Sequence, residues 1–348
     1  MPPPDVPVLR LDSTPHAHLV TALRVACERV GFFYVEDHGV PVELMDEAFA
    51  ASAALFALPP EVKATLRATP ATNNRGWTEL YEETLDPAHQ VRGDTKEGYY
   101  IGREVDAGSA EAALPLHGAS HCVLQGASVV SRGRCRAGPN VWPPEHLLPG
   151  WRATMERYFA ACRALGMRIA RLLGEALDLE PGFFDQPGRF DRPQLFLRLL
   201  RYAPEVSAPE AGVFAAGAHS DYGMLTLLAT DANPGLQIQP RAGGADGDWF
   251  DVPPRRGAFI VNLGDMLERW TNGLFLSTRH RVVNTTGAER LSMPFFFEPN
   301  FECVVECLPQ CCSADRPPRF SPTTAGEYLL SRYGATHAAY GGAPRAAA

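Results

Sequence analysis

Residues 218–226, AHSDYGMLT, decide how the rest of the chain is interpreted. They form an apolar run of β-forming residues that is interrupted by one histidine and, two positions later, by one carboxylate. In a strand, residues i and i+2 project from the same face, so a strand here would direct His219 and Asp221 towards one point. An imidazole and a carboxylate that converge in this way predict the beginning of a metal site.

Two later motifs complete this site. His280 stands in a second β-like run, residues 277–282, and an R-x-S motif follows with Arg290 and Ser292. Two imidazoles and one carboxylate on adjacent vertices form the facial triad of non-haem Fe(II) oxygenases, which leaves coordination positions open. A 2-oxo acid and O2 fit those positions, and a guanidinium suits the far carboxylate of the acid because its planar fork matches that group. Each motif alone also fits a structural histidine, a capping aspartate or a surface arginine, whereas the combination favours the metal site.

The composition is that of a globular protein. The 348 residues are 45% hydrophobic and 21% charged, which is enough for a large core in one or two domains. The formal net charge of -8 argues against nucleic acid or an anionic membrane as the main partner, and no apolar run approaches the roughly 20 residues that span a bilayer. The first residues lack the basic start and the apolar stretch of a signal peptide, so we expect a cytoplasmic protein.

Hydrophobic periodicity predicts helices in the N-terminal half and strands in the C-terminal half. A cap residue followed by proline predicts a helix start near residue 15, and the apolar stripe over residues 151–179 predicts a long amphipathic helix. Short β-like runs separated by Gly, Pro, Asn and Asp then predict a β-sandwich or a jelly-roll barrel. These runs are residues 195–202, 219–230, 235–240, 248–252, 257–262, 278–285 and 291–297.

Two stretches depart from this pattern. Residues 119–138 are rich in Ser, Gly and Arg without periodicity, which predicts an inserted loop. We interpret it either as a harmless surface loop, which costs little closure entropy, or as a retained intron read through in frame. Cys303, Cys307, Cys311 and Cys312 do not match the paired C-x2-C spacing of zinc sites, so buried or incidental thiols are the preferred interpretation.

Several histidine and aromatic positions have two interpretations. His38 lies in a turn after an aromatic strand, where a hydrogen-bonded structural role is preferred over metal binding. Tyr99 and Tyr100 either line a pocket or seal the core, and Phe295 and Phe297 are further candidates for a substrate pocket. Aromatic side chains suit flavonoid-like, terpenoid and amino-acid-derived substrates alike, so the sequence leaves the substrate open.

The motifs resemble those of a known enzyme family. Over nearly its whole length the chain is similar to the Fe(II)- and 2-oxoglutarate-dependent dioxygenases of the isopenicillin N synthase-like group. The segments that carry the resemblance are GFFYV at 31–35, HGVP at 38–41, GDTKE at 93–97, HSDYG at 219–223, VNLGD at 261–265, TNG at 271–273 and HRV at 280–282.

The resemblance implies a mainly β protein with an α-helical N-terminal region and a double-stranded β-helix (jelly roll, cupin-like) core. The family usually has asparagine two residues before the tyrosine that stands at position 202 here, and this chain departs from that pattern with Leu200. The implied site residues are His219, Asp221 and His280 for Fe(II), and Arg290, Ser292 and Tyr202 for 2-oxoglutarate, with ascorbate as an optional further cofactor. The implied division is an N-terminal region at 1–118, an inserted loop at 119–138, a long helix at 139–193, the β-helix core at 194–302 and a C-terminal helix and tail at 303–348.

We therefore expect an enzyme that hydroxylates or desaturates a small organic substrate with O2 and converts 2-oxoglutarate to succinate and CO2. We expect a monomer without a nucleic-acid or membrane partner. A first alternative is an iron oxidase of the isopenicillin N synthase or aminocyclopropane-carboxylate oxidase type, which does not use 2-oxoglutarate. A second alternative is a non-catalytic metal-binding β-helix protein. Succinate formation distinguishes the first alternative, and failure to consume O2 would favour the second.

Overall fold

The computed structural model describes residues 5–106, 108, 138–241 and 248–336. The helices of this part of the chain are α1 His16–Arg29, α2 Val42–Phe56, α3 Pro60–Thr65, α4 Trp151–Ala176, α5 Asp265–Trp270 and α6 Ala325–Thr336. The strands are β1 Val8–Arg10, β2 Phe32–Glu36, β3 Gly76–Thr78, β4 Lys96–Gly102, β5 Pro193–Tyr202, β6 Ala216–His219, β7 Leu225–Thr230, β8 Leu236–Gln239, β9 Phe250–Asp251, β10 Phe259–Leu263, β11 Arg279–Val282, β12 Arg290–Asn300, β13 Val304–Val305 and β14 Thr323–Thr324.

The strands form two facing sheets and one small ribbon. The large sheet has the order β1-β2-β10-β7-β12-β5-β4-β3, the small sheet has the order β6-β11-β8-β9, and β13 pairs with β14. All of these pairs are antiparallel except β1 with β2. Chain neighbours such as β6 and β7 lie in different sheets, as expected of a jelly roll. The predicted mainly β fold is confirmed, and so is the long helix, which is α4.

Apolar side chains fill two regions between the sheets, and His280 lies between these regions. Phe32, Ile238 and Ile260 belong to one buried cluster, and the His280 ring lies 5.4 Å from that of Phe32. Val282, two residues after His280 on the same face of β11, belongs to the other cluster. The predicted metal ligand is therefore fixed in position by packing on both sides.

The chain leaves the small sheet between His219 and Asp221, the first two of the three predicted metal ligands. Residues 219–230 were predicted to form one strand, but β6 ends at His219 and β7 begins at Leu225 in the large sheet. Asp221 therefore lies in the connection, and the prediction that it shares a strand face with His219 is wrong. The two side chains still converge because the connection crosses from one sheet to the other around the point where they meet.

The outer face of the large sheet packs against α4. Phe295 of β12 contacts Phe159 of α4 with ring centres 4.9 Å apart, and Phe297 and Tyr99 are also fully buried in the same core. Tyr99 therefore seals the core, which is one of its two interpretations, and the interpretation of Phe295 and Phe297 as pocket residues is wrong. Tyr100 projects from the opposite, interior face of β4, since successive side chains alternate along a strand.

The close contact between α4 and the large sheet predicts an asymmetry between two glycines of this helix. A Cβ at Gly166 would lie 2.4 Å from the Phe297 ring, whereas a Cβ at Gly174 would lie 3.6 Å from Phe184. We expect Gly166→Ala to lower the free energy of unfolding by about 1–3 kcal/mol through overpacking. Gly174→Ala serves as the matched control and is expected to be neutral or stabilising by up to about 1 kcal/mol because alanine favours the helix. Denaturant unfolding checks both, and equal effects of the two substitutions would contradict this packing.

Two predicted segments, the inserted loop and the C-terminal tail, fall partly or wholly outside the described residues. The predicted inserted loop is outside them except for Gly138, which bridges to Glu104 and whose carbonyl accepts a hydrogen bond from Arg75. Cys122, Cys135 and the residues after 336 are also outside. Among the described helices, none is both long enough and apolar enough to cross a membrane.

Candidate metal centre

The three predicted metal-ligating side chains converge between the sheets. One ligand atom from each of His219, Asp221 and His280 lies within 4.8 Å of the other two, and no other such group of three or more His, Cys, Asp or Glu side chains is found among the described residues. Pairing of β11 with β6 places His280 directly opposite His219. The Nε2 atoms of these two histidines lie 3.6 and 3.8 Å from Asp221 Oδ1, respectively.

Backbone carbonyls orient both imidazole rings. Nδ1 of His219 lies 2.8 Å from the carbonyl oxygen of Gly217, and Nδ1 of His280 lies 3.1 Å from that of Thr278. A carbonyl oxygen only accepts, so each Nδ1 donates its hydrogen, and Nε2 is the ring nitrogen that faces Asp221. Burial, together with the neighbouring imidazole, lowers the pKa of His219 to about 3, so this ring is neutral at physiological pH.

Polar side chains from the large sheet hold the carboxylate. Oδ2 of Asp221 accepts hydrogen bonds from Thr226 Oγ1 and, at 2.6 Å, from Asn262 Nδ2. Burial alone would raise the pKa of Asp221, but the imidazoles of His280 and His219 and these two hydrogen bonds outweigh it, so that the pKa is lowered. The carboxylate is therefore ionised, and its Oδ1 is left for a metal.

This donor set fits Fe(II). Two neutral imidazoles and one carboxylate are the ligands of the facial triad, and their outer hydrogen-bond partners fix the orientation of the ligands. The His219 side chain is 17% exposed, so this edge of the candidate centre contacts solvent.

The predicted anchor for 2-oxoglutarate lies on the interior face of the large sheet. Arg290 and Ser292 lie two residues apart on β12, and both are buried. Arg290 is paired in register with Tyr202, and its guanidinium carbon lies 4.9 Å from the centre of the tyrosine ring. Within the described part of the chain, neither Arg290 Nη1 nor Ser292 Oγ has a hydrogen-bond partner. Two buried, unpaired donors on one wall are what a carboxylate ligand would satisfy.

A buried charged cluster on the same wall was not identified from the sequence. Lys96 pairs with Asp94 and, at 2.9 Å, with Glu83, and Arg198 pairs with the same Glu83 oxygen at 2.8 Å. Burial would lower the pKa of Lys96, but Asp94 and Glu83 outweigh it and raise the pKa. The available signal was the GDTKE segment of the family resemblance, because its charged residues require partners when they are buried.

This cluster is connected to the metal ligands through β6. Asp94 Oδ1 accepts hydrogen bonds from the Gly217 backbone N–H at 2.9 Å and from Gln90 Nε2 at 2.8 Å. The carbonyl of Gly217 is the group that orients His219. A Cβ at Gly217 would lie 2.2 Å from Gln90 Oε1, so a side chain here would displace Gln90, which donates to Asp94. The GDTKE segment thus helps to position the strand that carries one metal ligand.

A second carboxylate, Asp265, connects the segments that carry the other two candidate metal ligands, Asp221 and His280. Its backbone N–H donates to the Asp221 carbonyl at 2.8 Å. Its Oδ1 accepts a hydrogen bond from Ser277, which precedes the strand of His280, at 2.7 Å, and its Oδ2 accepts one from Tyr328 of α6 at 2.6 Å. The VNLGD segment therefore links both ligands to the C-terminal helix.

Removing one bond of this connection predicts a loss of metal affinity. Tyr328→Phe deletes only the hydroxyl group, so we expect Fe(II) affinity to fall about tenfold, the lower end of the effect of losing an outer-shell partner. Anaerobic Fe(II) titration measures the change, with circular dichroism as a check on folding. Tyr81→Phe is the matched control, because the Tyr81 hydroxyl bonds to Glu205 at the surface. Equal affinities in all three proteins would contradict this role for Tyr328.

Glu298 is a further buried carboxyl group near the candidate metal centre. Burial, and the charge of Asp221, raise the pKa of Glu298 to about 8. A Cβ at Gly223 would lie 2.5 Å from its Cγ, which explains why the HSDYG segment ends in glycine. Sequence reasoning gave no signal for this contact, because it depends on the sheet register.

The other residues considered as possible metal ligands, one histidine and four cysteines, do not belong to the candidate metal centre. His38 Nε2 lies 2.8 Å from the Gly257 carbonyl and its Nδ1 accepts from the Val40 backbone N–H, so the structural interpretation is confirmed. Cys303 and Cys311 are buried, Cys307 and Cys312 are partly buried, and all four are free thiols.

The fold and the donor set define a non-haem iron oxygenase, and comparisons with known proteins agree. Residues 196–299 match the model of the 2OG-Fe(II) oxygenase superfamily, and residues 6–145 match that of the non-haem dioxygenase in morphine synthesis N-terminal region. The chain is 36% identical to kihadalactone A synthase of Citrus sinensis, over 94% of this chain and 93% of that protein. It is 34% identical to a 2-oxoglutarate-Fe(II) type oxidoreductase of Emericella nidulans, over 94% and 87%.

Solved structures give the same result. A full-length Neurospora crassa protein in complex with alpha-KG and thymine superposes with a TM-score of 0.76 at 28% identity, over 95% of this chain and 96% of that chain. JOX2 in complex with 2OG, Fe and JA superposes with a TM-score of 0.73 at 26% identity, over 95% and 85%. The chain belongs to the 2-oxoglutarate–Fe(II) oxygenase superfamily. It is a 2-oxoglutarate-dependent dioxygenase with Fe(II) as its metal, which favours the main expectation over both alternatives.

Proposed function

We propose that His219, Asp221 and His280 hold the Fe(II), and that Arg290 and Ser292 bind the distal carboxylate of 2-oxoglutarate. The observation that carries the proposal is the convergence of the Nε2 atoms of His219 and His280 on Oδ1 of Asp221, while unpaired donors stand on the wall of the large sheet. One group of residues suits the metal and the other suits the anion.

Each residue has a separate task in this proposal. When bound, iron supplies the activation of O2, and the overall reaction converts 2-oxoglutarate, O2 and a C–H substrate to succinate, CO2 and an alcohol. Arg290 neutralises the distal carboxylate, and Ser292 donates a hydrogen bond to it. Tyr202, directly opposite Arg290, supports the guanidinium with its ring.

The substrate is a small organic molecule. Among similar proteins, azadirone synthase of Melia azedarach and clavatol oxidase of Penicillium crustosum are named for small organic molecules. Hydroxylation is the default outcome here, and desaturation is the alternative when the substrate radical is held differently. We further propose that the protein acts as a monomer in the cytoplasm, without nucleic-acid or membrane partners, which size-exclusion chromatography and cell fractionation test.

The proposed roles are tested by anaerobic addition of Fe(II) and 2-oxoglutarate, followed by exposure to O2. We expect a weak metal-to-ligand absorption band in the visible range and then the release of succinate. Iron binding without the band or succinate would instead indicate an oxidase that does not use 2-oxoglutarate. A protein that binds no iron would contradict the metal ligands themselves.

A further inference from the structure

One buried donor near the candidate metal centre is not explained by iron or by 2-oxoglutarate. On the interior faces of the described strands of the large sheet, three side-chain donor atoms are buried without a hydrogen-bond partner: Arg290 Nη1, Ser292 Oγ and Arg198 Nε. The first two form the proposed carboxylate anchor. The third donor therefore needs a different ligand, because a buried donor without a partner is costly.

The sheet register separates Arg198 from that anchor. Arg290 is paired with Tyr202, and Arg198 lies four residues from Tyr202 on the same strand, which is about 13 Å at 3.3 Å per residue. A molecule of 2-oxoglutarate that is bound to Arg290 and to the metal does not extend along the strand to this point. Arg198 instead lies two residues along β5 from Phe196, which pairs with Phe296 of β12. Phe296 pairs in turn with Thr226 of β7, and Thr226 donates a hydrogen bond to the proposed metal ligand Asp221.

The surroundings of Arg198 leave one of its N–H groups available. Its Nη2 pairs with Glu83 at 2.8 Å, and the guanidinium carbon lies 4.4 Å from the centre of the Tyr100 ring. Nε faces Gly98, where an added Cβ would lie 3.3 Å from Nε and 2.9 Å from Thr78 Oγ1. Because residue 98 is glycine, no Cβ occupies the narrow space that Arg198 Nε, Thr78 Oγ1 and Leu200 surround.

The charge balance of the cluster selects the kind of group that this donor can bind. Arg198 and Lys96 carry two positive charges, and Glu83 and Asp94 carry two negative charges, all of them buried and paired. A carboxylate from the substrate would add an uncompensated buried charge, which is strongly unfavourable. A neutral carbonyl oxygen can accept a hydrogen bond from Nε without disturbing this balance.

We propose that Arg198 is a substrate-binding residue, and that the substrate is an uncharged molecule whose carbonyl oxygen accepts a hydrogen bond from its Nε. A lactone, a lactam or an enone has the required group. This inference rests on the proposed iron and 2-oxoglutarate site, because the substrate must lie beside that site. It adds the chemical class of the molecule that is oxidised.

The test uses sets of three matched compounds with the full-length enzyme loaded with Fe(II) and 2-oxoglutarate. Each set contains an uncharged cyclic carbonyl compound, its carbonyl-free analogue and its ring-opened carboxylate. Coumarin, 2H-chromene and 2-hydroxycinnamate form one such set. Binding is measured without O2 as a change in the visible absorption band, and turnover is measured as succinate formed above the rate without added compound.

We expect binding and stimulation to be strongest for the carbonyl members. Arg198→Lys keeps a positive charge for Glu83 but removes the Nε donor, so it should weaken binding of these members about tenfold or more. Gly98→Ala fills the space beside Nε and should have the same effect, which provides the test if Arg198→Lys does not fold. The matched control is Arg201→Lys, since Arg201 lies on the outer face of β5 and pairs with Glu97 and Glu289.

Three outcomes would overturn this assignment. The first is strongest binding by the carboxylates or by the carbonyl-free analogues. The second is unchanged binding of the carbonyl members in both the Arg198 and Gly98 variants, and the third is a wild-type enzyme that binds no member of any set although its absorption band is present. Absence of the band itself in the wild type would contradict the iron and 2-oxoglutarate site instead, so the two failures are distinguishable.

Discussion

His280→Ala is expected to abolish both Fe(II) binding and succinate formation, with a loss in turnover of at least about 1000-fold. The imidazole is one of the three proposed protein ligands, and a bound metal contributes several kcal/mol of transition-state stabilisation, each 1.36 kcal/mol corresponding to a factor of ten. His219→Ala and Asp221→Ala should have equal effects, because the three ligand atoms meet at one point. Anaerobic Fe(II) titration and a succinate assay measure the two losses independently.

A graded control separates loss of a ligand from general damage to the site. Thr226→Val removes one hydrogen bond to Asp221 Oδ2 but leaves all three ligands and the Asn262 hydrogen bond in place. We expect this variant to lose about 10–100-fold in metal affinity and to recover activity at high iron concentration. His280→Ala should not recover at any iron concentration. Iron-dependent succinate formation by His280→Ala at the wild-type rate would refute the metal assignment.

The convergence of the metal ligands could be predicted from the sequence, but the backbone that produces it could not. The spacing of His219 and Asp221 suggested a strand with both side chains on one face. In the structure β6 ends at His219 and the chain crosses to the large sheet before β7. The end of a strand inside an apolar run is set by which sheet each half joins, and this depends on partners far away in sequence.

The position of the aromatic side chains was predictable from the same rule that located Ser292. Phe295 is three positions after Ser292 on β12, and side chains an odd number of positions apart along a strand lie on opposite faces. Phe295 therefore faces α4 when Ser292 faces the interior. Tyr100 shares the interior face with Lys96 by the same argument, and Tyr99 does not.

The charged partners of this interior wall were beyond local sequence patterns. Glu83 precedes β4, whereas Arg198 belongs to β5, and only the pairing of these strands brings the two side chains within 2.8 Å. A buried ion pair of this kind has no periodicity of its own. The sequence could show that Lys96 belongs to the GDTKE segment of the family resemblance, but it could not identify the partners of this lysine.

Arg290→Ala is expected to raise the KM for 2-oxoglutarate about 100-fold or more, with a smaller effect on the rate at saturating 2-oxoglutarate. The guanidinium is proposed to make two charge-assisted hydrogen bonds to the distal carboxylate, each worth about 1.5–3 kcal/mol. The metal ligands are untouched, so Fe(II) affinity in the absence of 2-oxoglutarate should remain that of the wild type. Arg279→Ala is the matched control, because Arg279 is an exposed arginine next to His280 on β11.

Two further variants identify what the guanidinium contributes. Arg290→Lys restores the charge without the planar fork, so its KM should lie between those of the wild type and Arg290→Ala. Tyr202→Phe keeps the aromatic ring, whose centre lies 4.9 Å from the guanidinium carbon, and removes only the hydroxyl group. A small change in the KM for 2-oxoglutarate would show that the ring is the part that matters. A large change would show that the hydroxyl group contributes to 2-oxoglutarate binding. An unchanged KM in Arg290→Ala would show that the distal carboxylate binds elsewhere, and the unpaired Arg290 Nη1 and Ser292 Oγ would then require another ligand.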